Sequence, residues 1–361
     1  MIDIKKKGAI LHDYMAVKEG GAQVACQLAS LLDWKLITSL VSKEMNPKDD
    51  WQNLTLDTLG RDPRTRYLRP LVTLNRWRRF KSNYETLLYS GNYCSLAAPN
   101  HPNTRNIFYC HSPSRFLFDQ YEHFLTEVPT IYRPIYHRFL EKYRKQYIDS
   151  INSMDTILVN SLAVQRRVSN FLGKPSTIIY PPCDVDSFSY ADDEGYYLST
   201  ARLDPLKRID LVINAFKMMP EKRLIIASDG NERKNLEHLA SGSNNITFVG
   251  MISDDKLKNL ISKCIATIYI PILEDFGISP VESMAAGKPV IGAAEGGLLE
   301  TVVHNETGFL LPPTFIAEQI CDAVNILTRE ASKSMREACY LRSKKFDVKT
   351  FFAQINDILN T

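Results

Sequence analysis

The chain has 361 residues, 44% of them hydrophobic and 24% charged, which is material for two ordinary domains with the composition of a soluble globular protein. No run approaches the roughly 18 apolar residues of a membrane-spanning helix, and the basic start at Lys5, Lys6 and Lys7 lacks the apolar stretch of a signal peptide, so a cytoplasmic protein is expected. The net charge of +3 conceals an asymmetry: residues 1–185 carry 25 Lys/Arg against 17 Asp/Glu and the remainder 19 against 24, so the first half suits an anionic partner.

Short apolar runs alternate with helix-length periodic segments from end to end, the rhythm of a parallel α/β protein. A first strand is expected over residues 8–12, with a helix behind it over 23–32. Between them lies Lys18-Glu19-Gly20-Gly21-Ala22-Gln23. Its paired glycines let backbone approach a phosphate at the helix start. Residues 61–81 then gather seven arginines and a lysine against Asp62 alone, interleaved with Leu68, Leu71, Leu74, Trp77 and Phe80. Such a segment suits the surface of an anionic membrane, and equally a solvated helix face packed on the core. No recognised nucleic-acid module accompanies it, and a nucleic-acid partner is not expected.

Further strands are expected at 106–110, 156–160 and 177–180. The first of these runs into Tyr109-Cys110-His111-Ser112-Pro113-Ser114-Arg115. Pro181 and Pro182 can neither continue a ladder nor enter a helix interior, so they mark a connector. The division this implies is 1–183, then 184–345, then a terminal amphipathic helix within 346–361 that packs back on the first domain. The second half repeats the scheme, with strands at 196–200, 223–228, 246–250, 267–271, 289–293 and 308–311, and helices at 208–219 and 254–263 among them. The seven cysteines are odd in number and scattered without a C-x-x-C pair, which points to neither a zinc site nor a disulfide framework.

The chemistry concentrates in Glu274-Asp275-Phe276-Gly277-Ile278-Ser279-Pro280-Val281-Glu282 and the following Ser283-Met284-Ala285-Ala286-Gly287-Lys288-Pro289-Val290. A strand ends near Pro271, a polar turn follows, and a helix opens around Ile278 and stops at Gly287. Such a junction lies at the carboxyl edge of a parallel sheet, where open α/β folds bind ligands. The N–H groups of Phe276, Gly277 and Ile278 suit an anion, and the carboxylates of Glu274 and Glu282 suit sugar or ribose hydroxyls. Upstream, Ala201-Arg202-Leu203-Asp204-Pro205-Leu206-Lys207-Arg208 follows another strand and places Arg202 and Lys207 at the sheet edge, suited to the charge of a departing diphosphate. Asp229-Gly230 and Gly250-Met251 are turns after the next two strands.

The two glutamates and their alanine-glycine-lysine-proline-valine tail resemble the E-x7-E signature of retaining glycosyltransferases of family four, and the other segments above extend the resemblance over nearly the whole chain. It implies a GT-B fold, two doubly wound Rossmann-like domains facing a central cleft. It implies that Glu274 meets the donor sugar and Glu282 the nucleotide ribose, that Arg202 and Lys207 clamp the diphosphate, and that Asp229, Gly230 and Met251 border the donor. Gly20 and Gly21 match the family's glycine loop, and His111 the histidine near the donor sugar. Asp13 and Arg115 are the candidates for the acceptor. The implied reaction is a same-face substitution without cofactor or metal, since no D-x-D motif stands at a strand end. The run around His111 looks most like mannosyltransferases of bacterial surface polysaccharide assembly, which implies GDP-mannose as donor and a glycan or lipid-linked acceptor. An idle nucleotide-sugar-binding protein and an epimerase of the same architecture are the alternatives.

Overall fold

The computed structural model describes residues 6–16, 20–42, 54–63, 68–126 and 128–361. Lys5, Lys18 and Glu19, named above, and Arg64 and Arg66 of the basic segment lie outside the described residues. The chain forms two compact units, Met1–Ile179 and Tyr180–Thr361.

The first unit is built on seven parallel strands, β1 (Lys6–His12), β2 (Lys35–Thr38), β3 (Leu56–Thr58), β4 (Tyr84–Ser90), β5 (Arg105–Cys110), β6 (Thr156–Val159) and β7 (Thr177–Ile178). They run in the order β3-β2-β1-β4-β5-β6-β7. The central strands are covered on both faces, so Ala9, Ile10 and Leu11 are all fully buried and the strand reads as a continuous apolar run. The helix Leu162–Leu172 starts at Ser161, whose side chain accepts from the Val164 N–H, and stops at Gly173 with φ 62°. Both ends obey ordinary capping chemistry.

The second unit has six parallel strands, β8 (Tyr196–Ser199), β9 (Arg223–Ile226), β10 (Ile246–Phe248), β11 (Thr267–Tyr269), β12 (Val290–Ala293) and β13 (Gly308–Leu311), in the order β10-β9-β8-β11-β12-β13. The segment near the chain's end is tied to the unit's beginning: the Cys183 N–H donates to Phe346 O at 2.8 Å, and Asp186 accepts from Lys344 and Lys349. Asp347 caps the last helix, Val348–Asn360. Each unit has its own large apolar cluster, around Trp77, Phe108 and Tyr147 in the first and around Phe216, Val281 and Ile291 in the second.

In each sheet the chain winds one way and then returns to the other side of its first strand. The reversals fall between β1 and β4 and between β8 and β11. A crevice opens at such a point beyond the carboxyl ends of the strands, and ligands of doubly wound folds bind there. Strands β2, β3 and β4 are absent from the sequence-based expectation. The first two have only four and three residues, and β4 begins with Tyr84-Glu85-Thr86 before its buried Leu87-Leu88-Tyr89. The basic segment is partly structural. Arg69 makes two bonds to Asp62 at 2.7 and 2.8 Å, and Arg76 donates to the carbonyls of Ser39 and Arg61. Arg78 and Arg79 of the helix Arg69–Arg79 are exposed. Among the described residues no helix is long and apolar enough to cross a membrane.

Candidate functional site

All the candidate residues of the second unit follow the carboxyl ends of its strands. Arg202 and Lys207 come after β8, Asp229 and Gly230 after β9, Met251 after β10, and Glu274, Phe276, Gly277 and Ile278 after β11. Because the strands are parallel, these loops share one edge of the sheet. At the reversal between β8 and β11, Lys207 Nζ lies 2.6 Å from Glu274 Oε2 and 3.3 Å from the Tyr269 hydroxyl. The lysine and glutamate are each 20% exposed, so the pair is neither sealed nor free in water. Burial pushes the Tyr269 hydroxyl well above its ordinary pKa, the Glu274 carboxylate beside it adds to the rise, and Arg202 opposes it. Tyr269 therefore stays a neutral hydrogen-bonding group between the cation and the carboxylate.

Gly277, at φ 85°, precedes the helix Ile278–Ala285. That backbone is strained for any residue with a Cβ. The first-turn N–H groups of the helix have no intrahelical partners and face the carboxyl edge with the positive end of the helix dipole. Glu282 lies in the second turn and is half-buried. Two further glycines hold the loop from below. A Cβ at Gly296 would stand 2.2 Å from Glu274 O, and one at Gly297 would stand 2.4 Å from Phe276 Cα. The Gly297 N–H donates to Glu274 O at 2.9 Å.

Asp229 accepts from the Gly230 N–H at 2.7 Å and from Arg233 at 2.9 Å, which together hold its carboxyl below the usual range. Gly230 packs directly on the chain after β8, since a Cβ there would sit 2.2 Å from Leu203 O. Met251 is 74% exposed, a large apolar side chain left open at the edge. Sequence reasoning misses Tyr269, and also the ion pair of Arg208 with Glu295, which joins the loop after β8 to the loop after β12. By sequence Arg208 reads as a surface charge. Only its φ of 54°, at the start of the helix Ile209–Lys217, sets it apart, and no sequence signal announces that.

The first unit assembles a second cluster at the reversal between β1 and β4. His111, just past β5, hydrogen-bonds Ser90 Oγ through Nε2 at 2.8 Å, and Asn160 Nδ2 donates to its carbonyl at 2.9 Å. His12 Nδ1 meets the Ser90 carbonyl. Gly21 faces the imidazole, for a Cβ there would touch His111 Cδ2 at 3.4 Å, while a Cβ on Gly20 would meet nothing. Burial, reinforced by His12 nearby, pushes the His111 pKa down to about 3. Asp13 is committed to its own fold: its carboxylate accepts from the N–H groups of Asn92, Tyr93 and Cys94 at 2.7–2.8 Å. Burial raises its pKa in spite of His12 and those three donors. Arg115 is paired with Asp119 at 3.1 Å. Ser90 escapes sequence reasoning because its strand does.

Known proteins resemble this chain. Residues 185–346 match the family described as glycosyl transferases group 1. The chain is 25% identical over 308 residues to alpha-1,3/1,6-mannosyltransferase ALG2 of Dictyostelium discoideum, a match covering 71% of this chain and 70% of that protein. It is 29% identical over 288 residues to ALG2 of Homo sapiens, covering 69% and 66%. Across other curated relatives that it matches, the chain spans between 34% and 58% of their length. The structure of Anabaena Alr3699/HepE in complex with UDP and glucose is similar with a TM-score of 0.79 at 18% identity, covering 99% of this chain and all of that one. Sucrose-phosphate synthase from Thermosynechococcus elongatus gives 0.77 at 20% identity, with 98% of each chain covered. The fold is thus of the GT-B class.

Proposed function

We propose that this chain, a GT-B glycosyltransferase whose residues 185–346 match the group 1 family, transfers mannose from GDP-mannose to a glycan or lipid-linked acceptor with retention of configuration and without a metal. The observation that carries the reading is the Lys207–Glu274 pair with Tyr269, set where the second sheet reverses and beside a glycine-opened helix start. A cation and an N-terminal dipole suit a diphosphate, and a carboxylate held next to them suits the hydroxyls of the attached sugar. The mannosyl donor follows the alpha-1,3/1,6-mannosyltransferase relatives. The surface polysaccharide setting and the contact of residues 61–81 with an anionic membrane belong to the same reading.

In the proposed step the bond between the sugar's anomeric carbon and the phosphate oxygen breaks, and a bond to the acceptor hydroxyl forms on the same face. The acceptor's proton passes to the leaving phosphate. Lys207, Arg202 and the helix start take up the negative charge that develops there, and such preorganised groups are worth about 10²–10³ in rate each. Glu274 orients the sugar, Glu282 the ribose, and His111, uncharged, offers the sugar a hydrogen bond. Asp13 serves by shaping the loop after β4.

A thermal-shift series with GDP, GDP-mannose, UDP and UDP-glucose, with EDTA or magnesium, tests the donor, and release of GDP over a lipid extract tests transfer. The expected result is stabilisation by GDP and GDP-mannose that EDTA leaves unchanged, with a product keeping the donor's anomeric configuration. Glu274→Ala should bind GDP as wild type does and lose about 100-fold or more in transfer. A stronger shift with uridine nucleotides would overturn the donor, and a magnesium requirement the metal-free step. Nucleotide binding without any turnover would favour the idle reading. Release of an altered free sugar without acceptor would favour the epimerase.

A further inference from the structure

Among the described residues, four that are not glycine have positive φ: Asp33, Arg208, Leu273 and Asn305. Such backbone is uncommon for a residue with a Cβ, and it collects where geometry serves function. Two of the four lie in different loops at the donor edge and meet through one carboxylate. Arg208, at φ 54° in the loop after β8, forms an ion pair through Nη2 with Oε1 of Glu295 in the loop after β12. The second carboxylate oxygen, Oε2, accepts from the N–H of Leu273, at φ 47° in the loop after β11, at 3.4 Å.

Stability alone does not account for this arrangement. Both charged side chains are only 14% exposed, and the desolvation of such a pair cancels much of its attraction. The Arg208 guanidinium rests 4.9 Å from the centre of the Phe315 ring, and its Nε is buried without a hydrogen-bond partner among the described residues. A strained backbone and an unmet donor are both costly.

The sequence neighbours of the linked residues are those of the donor site. Lys207 precedes Arg208, Glu274 follows Leu273, and these two form the 2.6 Å pair described above. Two adjacent cations of one loop thus meet two carboxylates of two other loops. The Ile272 N–H also donates to Leu206 O at 2.8 Å, a further tie between the loops after β8 and β11. With Glu295 taken by Arg208, Lys207 is left to Glu274 and to an incoming anion.

We propose that Arg208 and Glu295 are positioning residues. They form a latch that fixes the loop after β11, and Glu274 with it, against Lys207, and Arg208 masks a carboxylate that would oppose a bound diphosphate. The effect on transfer rests on the transferase reading above; the latch does not.

Hydrogen exchange of the full chain, read by mass spectrometry over residues 271–278, tests the latch without any substrate. Arg208→Met and Glu295→Gln should each exchange about tenfold faster there than wild type, while peptides from β9 and β10 keep their protection. Arg208→Lys, which keeps the charge, should stay within about threefold of wild type. With GDP-mannose as donor, Arg208→Met should lose about tenfold or more in kcat while KM changes only a few-fold, because misplaced groups slow the chemical step. The double variant Arg208→Met, Glu295→Gln should turn over several-fold faster than Arg208→Met, since no bare carboxylate remains. Wild-type exchange over 271–278 in both single variants would overturn the proposal. Faster exchange spread evenly over the second unit would do so too, since an ordinary stabilising pair gives that pattern. A double variant no faster than Arg208→Met would overturn the masking of Glu295. Localised exchange in the variants, with no thermal shift of wild type by GDP, fails the transferase reading and supports the latch. Turnover of GDP-mannose with unmoved exchange fails the latch alone.

Discussion

His111 is neutral in the folded protein because its ring is desolvated and has His12 for a neighbour. Its pKa is depressed from 6.5 to about 3, so between those values the unfolded chain binds a proton that the folded chain refuses. The stability this residue contributes is present above pH 6.5 and is lost as the pH falls toward 3. Calorimetric melting between pH 4 and 7 should therefore show a steeper acid decline in wild type than in His111→Asn. Parallel curves would mean that the ring is protonated in the fold. The position of His111 is legible in the sequence because it ends a strand and is followed by Pro113. Asp13 is legible as a residue past a strand end, but its occupation is not. Its partners lie about eighty positions away, in a loop that no local pattern links to β1.

Among elements, the loops after β11 and β12 support each other through glycine. Gly296 has φ 60°, and its Cα approaches the Glu274 carbonyl so closely that any side chain displaces the loop. Gly296→Ala should lower the melting temperature by about 4 °C or more from backbone strain alone. It should also reduce transfer, because Glu274 moves with its carbonyl. Unchanged melting and turnover in that variant would show the contact to be soft. The helix starting near Ile278, and strands such as β12 and β13, are readable from glycine, proline and continuous apolar runs. The strands β2 and β3 are not, being too short for a periodic signal and placed by long-range pairing alone. The Arg208–Glu295 pair is hidden for the same reason, with 87 positions between its members.

At the scale of the molecule, each unit encloses its own core, and the described donor-side residues Lys207, Tyr269 and Glu274 all belong to the second. Differential scanning calorimetry should resolve two transitions, only one of which moves to higher temperature with added GDP, its unit gaining RT ln(1 + [L]/Kd) in stability. A single transition with equal calorimetric and van't Hoff enthalpies would show that the units unfold together. The alternating α/β rhythm and the double proline make the two-part architecture legible in the sequence, since they depend on local chain chemistry. An aromatic cavity of the first unit is not legible there, because its lining is drawn from several loops and helices spread between Pro70 and Tyr143. The glycine contact beneath Glu274 has a consequence for protein engineering. Chimaeras that exchange sugar preference with a relative by grafting the loop after β11 alone will import a backbone that its new host does not seat. The exchangeable module is that loop together with residues 295–298, taken from the same parent.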